Sequence, residues 1–271
     1  MKNDSIRVPI RSLSLAFVLA GVLSTNAFSA TVNLGAGTYS ENFNILSNSQ
    51  EPAPGWDIRA NAGATSLGSL KRTFSTTTRA WDHDGGNFKN VSSTNIPQTS
   101  DAAAQAANPD RALGLTQAPT LGDPGATFNF NFSSTGVQFS SLSIDLLLLN
   151  NVAASTTFSL QYGIGAAPTS FVTLATWSDG SVPSGWGSTT FTFDRDDFGS
   201  SLDNQSQAWF RIVALSPAIP GPDESGLRDQ VAIDNFSVAT TTAVPEPTTY
   251  ALLALGGLSA WVLIRRRKNL A

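Results

Sequence analysis

Residues 127–132, TFNFNF, alternate aromatic and polar side chains with a period of two. In an extended chain successive side chains point to opposite faces, so Phe128, Phe130 and Phe132 share one face and Asn129 and Asn131 the other. The pattern predicts a β-strand half buried in a core. Residues 189–193, TTFTF, repeat the device with Phe191 and Phe193. Residues 141–149, SLSIDLLLL, begin alternating and then become continuously apolar, as a central strand of a two-sheet core does.

Working outward, residues 156–162, 170–177, 208–215 and 230–238 bring the series to at least seven strands. Their length and the turn residues between them predict an all-β, antiparallel β-sandwich. Residues 35–43 and 55–59 are further strand candidates. Residues 61–108 are rich in Ser, Thr, Asn and Gly, and predict long loops on one edge of the sandwich with short strands around Phe74 and Trp81. Residues 102–107, AAAQAA, are the one helical stretch expected in the sandwich. No repeat of fixed period is present, which argues against a solenoid or propeller.

Composition removes whole classes of chemistry. The chain has no cysteine, so thiol catalysis, Cys-ligated metals and disulfides are excluded. Its single histidine, His83, leaves no His-rich metal site. Neither a G-x-S-x-G elbow nor a nucleotide-binding glycine loop occurs.

Both termini carry their own signals. Lys2, Arg7 and Arg11 precede the apolar residues 13–23, LSLAFVLAGVL, and small residues follow in Ala27-Phe28-Ser29. This is the order of a secretory signal peptide, predicted as a helix with cleavage after Ser29. At the other end Val244, Pro245, Glu246 and Pro247 form an extended tetrapeptide, because each proline fixes its own φ and disfavours helix in the residue before it. The fifteen uncharged residues 250–264 follow, and Arg265, Arg266, Arg267 and Lys268 close the run. As a helix this stretch is about 22 Å long, short of a hydrocarbon core of roughly 30 Å, so Thr248, Thr249 and the arginine stems must help a single transmembrane helix to span. The basic cluster sets the orientation, with everything N-terminal outside the cytoplasm.

The predicted division is residues 1–29 signal peptide, 30–239 β-sandwich, 240–243 a threonine-rich linker, and 244–271 the tail. The formal charge of −4 for the whole chain hides an asymmetry. The exported part keeps nine basic and eighteen acidic residues, which argues against nucleic acid as a partner and suits solubility and cation binding.

In motif, order and position the tail resembles the PEP-CTERM sorting signal of Gram-negative bacteria. The resemblance covers about a tenth of the chain. It implies that an exosortase-type membrane transpeptidase acts near residues 245–247, after export through the Sec translocon and signal peptidase. The protein would then hold only a transient inner-membrane anchor before reaching the cell envelope or extracellular matrix. The strings YSENF (39–43), DRALG (110–114), AWFRI (208–212) and VAIDNFSV (231–238) together resemble PEP-CTERM cargo built on a jelly-roll sandwich. The terminal strings also resemble carbohydrate-binding jelly rolls, in which an acid near the first strand and one in the last hold a structural Ca²⁺. The matching positions are Glu41 and Asp234, with Asn42 and Asn235 as further oxygen donors. A polar strand end is the competing reading of Asp234-Asn235.

Other motifs carry weaker chemistry. Residues 82–87, DHDGGN, have the acids and glycines of a calcium loop without its third ligand or closing glutamate, and read as a β-turn. Residues 194–197, DRDD, offer carboxylates to a glycosidase but sit at a strand end, where they read as a polar turn. Trp177 and Trp186, near Gly- and Ser-rich turns, are candidate stacking platforms for a glycan, with Trp186 between Gly185 and Gly187 the more exposed. Trp209 in AWFRI is expected in the core. The sequence therefore points to a non-enzymatic, exported sandwich associated with polysaccharide or matrix. The alternative is a secreted polysaccharide hydrolase using Asp or Glu pairs.

Overall fold

The computed structural model describes residues 30–48, 52–71, 75–83, 88–150, 154–179, 185–218 and 228–243. The signal peptide, the Val244–Pro247 motif, the apolar run and the basic cluster Arg265–Lys268 lie outside the described residues. No helix among the described residues is long and apolar enough to cross a membrane.

The strands in chain order are β1 (Val32–Asn33), β2 (Gly37–Glu41), β3 (Trp56–Ala60), β4 (Ser69–Leu70), β5 (Ser75–Arg79), β6 (Lys89–Ser92) and β7 (Arg111–Thr116). They continue with β8 (Thr127–Ser133), β9 (Val137–Asn150), β10 (Thr157–Ile164), β11 (Val172–Ser178), β12 (Gly187–Asp194), β13 (Ala208–Val213) and β14 (Gln230–Thr242). One sheet has the order β11-β10-β13-β8-β3-β4, with β1 added to β8. The other has the order β12-β9-β14-β7-β6-β5, with β2 added to β14. Apart from the parallel pairs β1–β8 and β5–β6, all strand pairing is antiparallel. The all-β, two-sheet sandwich expected from the sequence is what forms.

The phenylalanines of TFNFNF build its centre. Phe130 meets Phe236 of the facing sheet with ring centres 4.9 Å apart, Phe132 meets Phe139 and Phe210, and Phe128 meets Phe88 and Phe158. Each such ring contributes about 1.5–3 kcal/mol on burial, so this layer sets the register of both sheets.

The opposite face of β8 departs from expectation. Asn129 and Asn131 are buried too, because loops fold across the outer surface of their sheet. Arg211, opposite Asn129 on β13, donates to the carbonyls of Gly63 (2.9 Å) and Ser66 (2.8 Å) and holds the 61–68 loop down. Alternation reports the two faces of a strand, but not which loops cover them.

Residues 61–108 also contain more sheet than expected. β6, KNVS, is an interior strand between β5 and β7, with all four residues buried. Its Lys89 is tolerated because the three ammonium donors meet His83 O (2.6 Å), Thr116 Oγ1 (2.8 Å) and Gln230 Oε1 (2.9 Å). The helix α1 (Ala102–Ala107) forms as expected, capped by Asp101. A second helical turn, α2 (Arg195–Phe198), replaces the polar turn expected at DRDD.

Of the linker expected at residues 240–243, Thr240, Thr241 and Thr242 instead belong to β14. Thr240, Thr241 and Thr242 pair with Phe139, Gln138 and Val137 of β9, and the Thr240 hydroxyl donates to Gly35 O (2.5 Å). β-branched threonine suits a pleated surface, and here neighbouring backbone supplies what its small side chain cannot.

Candidate functional site

On β9, Ile144, Leu146 and Leu148 belong to the core between the sheets. The intervening residues Asp145, Leu147 and Leu149 therefore face outward. Leu147 and Leu149 join Val91, Ala112 and Ala232 in an apolar patch on the outer surface, which the Trp81 ring covers and Trp186 borders. Trp81 is 4% exposed, its indole N–H donating to Ser92 O (2.9 Å) and its backbone N–H to Gln105 Oε1 (2.8 Å). Trp186 is half-buried, edge-on to Trp81 at 5.4 Å between centroids and 62° between planes. Gly185 (φ 68°) and Gly187 (φ 122°), both in backbone conformations that favour glycine, turn the chain on either side of it.

Trp81, but not Trp186, also lines a cleft of about 310 Å³ together with Asp82, Gln98, Asp101, Gln105 and Asn150. Aromatic surface, carboxylates and amides thus converge on one outer face, the combination that holds a hydroxyl-rich ligand by stacking and hydrogen bonding. Asp82 of the DHDGGN string lines this cleft, while residues 84–87 lie outside the described set.

Further along the same face Asp145 and Asp234 are direct cross-strand partners. Asp145 accepts from the Thr190 hydroxyl (2.5 Å) and the Asn235 amide (2.9 Å). Asp234 is fully buried and accepts from the Ser93 hydroxyl (2.5 Å) and the Asn235 backbone N–H (2.7 Å). Burial raises its pKa to about 7 against the pull of those two hydrogen bonds, and the nearby Asp110 and Asp145 add to the rise. The pair was absent from the sequence reading, although Asp145 sits in phase with the outward residues of SLSIDLLLL.

The structure separates Glu41 from Asp234. A register shift at Asn235 (φ 48°) flips the face of β14, so Asp234 points outward while Phe236 points into the core. Glu41 stands opposite Phe236, hence on the core side, where its carboxylate accepts the Phe43 N–H (2.6 Å). Burial raises its pKa, against hydrogen bonds from Phe43 and Asn42. The two-carboxylate calcium site drawn from the sequence is therefore not assembled. Among the described residues no group of three or more His, Asp or Glu side chains is placed to hold a metal ion.

Trp177 also needs correction. It is 1% exposed and packs against Phe158 at 6.3 Å, so neither ring face is open to a sugar. Trp209 is buried, with Arg59 over its ring at 5.0 Å. Asp194 and Asp197 form a capping box on α2, the Asp197 carboxylate accepting from Asp194 N–H at 2.8 Å.

Comparison with solved structures finds weak similarity to several domains. The chain shares 12% identity with a carbohydrate-binding module, TmCBM27, described for specific mannan recognition, at a TM-score of 0.39 over 76% of this chain and 96% of that one. The CBM22-1 xylan-binding domain of Paenibacillus barcinonensis Xyn10C gives 12% identity and 0.39 over 78% and 99%. The K1 cleaved adhesin domain of Lys-gingipain from Porphyromonas gingivalis W83 gives 12% and 0.40 over 76% and 99%. No curated protein matches the chain. In sequence, residues 243–268 match the PEP-CTERM protein-sorting motif, so the chain joins a β-sandwich to that sorting motif with no residue between them.

Proposed function

We propose that this protein is exported, processed at its PEP-CTERM motif by an exosortase-type transpeptidase, and retained in the envelope or extracellular matrix as a non-catalytic, polysaccharide-binding sandwich. The sorting half rests on the match over residues 243–268. The binding half is carried by one observation: the half-buried Trp186 packs edge-on to Trp81, which in turn lines a cleft with carboxylates and amides. Trp186 supplies the stacking surface and Trp81 fixes its position. Asp82, Gln98, Asp101 and Asn150 supply hydrogen-bonding groups toward sugar hydroxyls.

The carboxylates nominated for hydrolysis have other work. Asp194 and Asp197 form the capping box of α2. The test is a glycan array and a reducing-sugar assay on the exported sandwich. Retention on a polysaccharide, lost in Trp186→Ala and without sugar release, is the expected result. Release abolished by Asp194→Ala or Asp197→Ala would establish the hydrolase instead.

A further inference from the structure

We propose that the end of the sandwich where the chain leaves β14 is a docking face for the membrane enzyme that processes the sorting motif, an inference that rests on the sorting reading above. The last turns of β14 are firmly held. Thr240 is paired on both sides, with Phe139 of β9 and Gly37 of β2, and its hydroxyl donates to Gly35 O. Thr242 pairs with Val137, and the Ala243 N–H donates to Gly136 O (3.1 Å). The match to the sorting motif begins at residue 243. Ordered pairing and enzyme-read sequence therefore meet without a spacer.

Chain geometry converts this junction into proximity. Six residues, 244–249, separate Ala243 from the apolar run that starts at Tyr250. Fully extended they reach at most about 20 Å. Until the anchor is removed, this end of the sandwich stays within that distance of the bilayer. An enzyme seated in the membrane and reading the Val244–Pro247 segment must fit into the same gap. It cannot do so without touching the surface around Gly136.

That surface is itself rigid. The Gly136 N–H donates to Asn204 Oδ1 (3.0 Å), and the Asn204 N–H donates to Val137 O (3.1 Å). α2 is tied to the same end by Arg195, which donates to Phe139 O (2.8 Å) and pairs with Asp203 (2.5 Å). Thr135 and Ser200 are among its exposed positions, with Gly136, Gly199, Ser201 and Asn204. The alternative to docking is release of Thr240, Thr241 and Thr242 from β9, and of Thr240 from β2 as well, at the cost of their hydrogen bonds.

The experiment follows tail removal from the full chain by pulse-labelling, in a host that makes the processing enzyme. Thr135→Arg combined with Ser200→Arg should slow removal several-fold with the melting temperature unchanged. Thr120→Arg, at the far end of the sandwich, should not. Inserting twelve Gly-Ser residues between Ala243 and Val244 should abolish the sensitivity to the double variant. Parental rates in the double variant at the native junction would overturn the docking face. If Glu246→Ala leaves the fate of the tail unchanged, the sorting reading fails and the docking face with it.

Discussion

Asp145 and Asp234 stand directly opposite one another on β9 and β14, two carboxylates on the outer face of one sheet, one of them without solvent contact. Like charges in a cross-strand pair repel, and burial of Asp234 adds a desolvation cost to its ionised form. The ordinary value of 3.8 rises to about 7, so the folded protein carries a protonated carboxyl where the unfolded chain does not.

This sets the direction of a pH effect. Between the unfolded and folded values the native state binds the extra proton, so stability falls as pH rises from about 4 to about 7 and levels off above. The loss is on the order of 2–4 kcal/mol. Asp234→Asn mimics the neutral form and should raise the melting temperature at pH 8 while changing little at pH 5. A wild-type melting temperature that climbs from pH 5 to pH 8, with no gain in the variant, would refute this assignment.

The two tryptophans of the outer face should separate binding from folding. Trp81→Ala removes a buried ring and should cost about 3–5 kcal/mol of stability. Trp186→Ala should leave melting nearly unchanged and weaken polysaccharide binding by roughly 2 kcal/mol, about thirtyfold in Kd. Isothermal titration on an array-selected oligosaccharide, alongside thermal melts, reads both. Equal affinity for parent and Trp186→Ala would remove the platform.

Arg211 is a clasp. It is fully buried and donates to Gly63 O, Ser66 O and Gln161 Oε1 (2.8 Å), and burial lowers its pKa only to about 10, so it stays charged at neutral pH. Arg211→Lys loses the planar fork that reaches both carbonyls at once. It should destabilise by about 2 kcal/mol and open the 61–68 loop to limited proteolysis. Wild-type resistance of that loop in the variant would show that other contacts hold it.

Chelation gives a further check. With Glu41 and Asp234 on opposite faces of their sheet, EDTA should leave the melting curve of the sandwich in place. A fall in melting temperature reversed by added Ca²⁺ would mean that oxygens other than this pair form a site.

The sequence by itself determined the class of the fold and the presence of a sorting motif. Period-two alternation in TFNFNF and TTFTF depends on the pleat alone, which is local geometry, and so forecast two sheets around a phenylalanine core. The sorting motif likewise lies within one contiguous stretch and was readable as such. Coverage and convergence were not readable. β6 was hidden because Lys89 and Asn90 look solvent-facing until partners distant in the chain, Gln230 for one and the Leu46 carbonyl for the other, are brought to them. Glu41 and Asp234 looked like a pair because the strings around them resemble the terminal strands of carbohydrate-binding jelly rolls. The one-residue register shift at Asn235 that puts them on opposite faces exists only in the paired sheet. The glycines around Trp186 already marked it as the more exposed of the two candidate platforms, but only packing showed that Trp177 lies in the core while Trp186 stays half-buried against Trp81 on the outer face. Tertiary structure also turned Thr240, Thr241 and Thr242, read as linker, into the end of a central strand, because a threonine run becomes sheet wherever a neighbouring strand offers hydrogen bonds to its backbone.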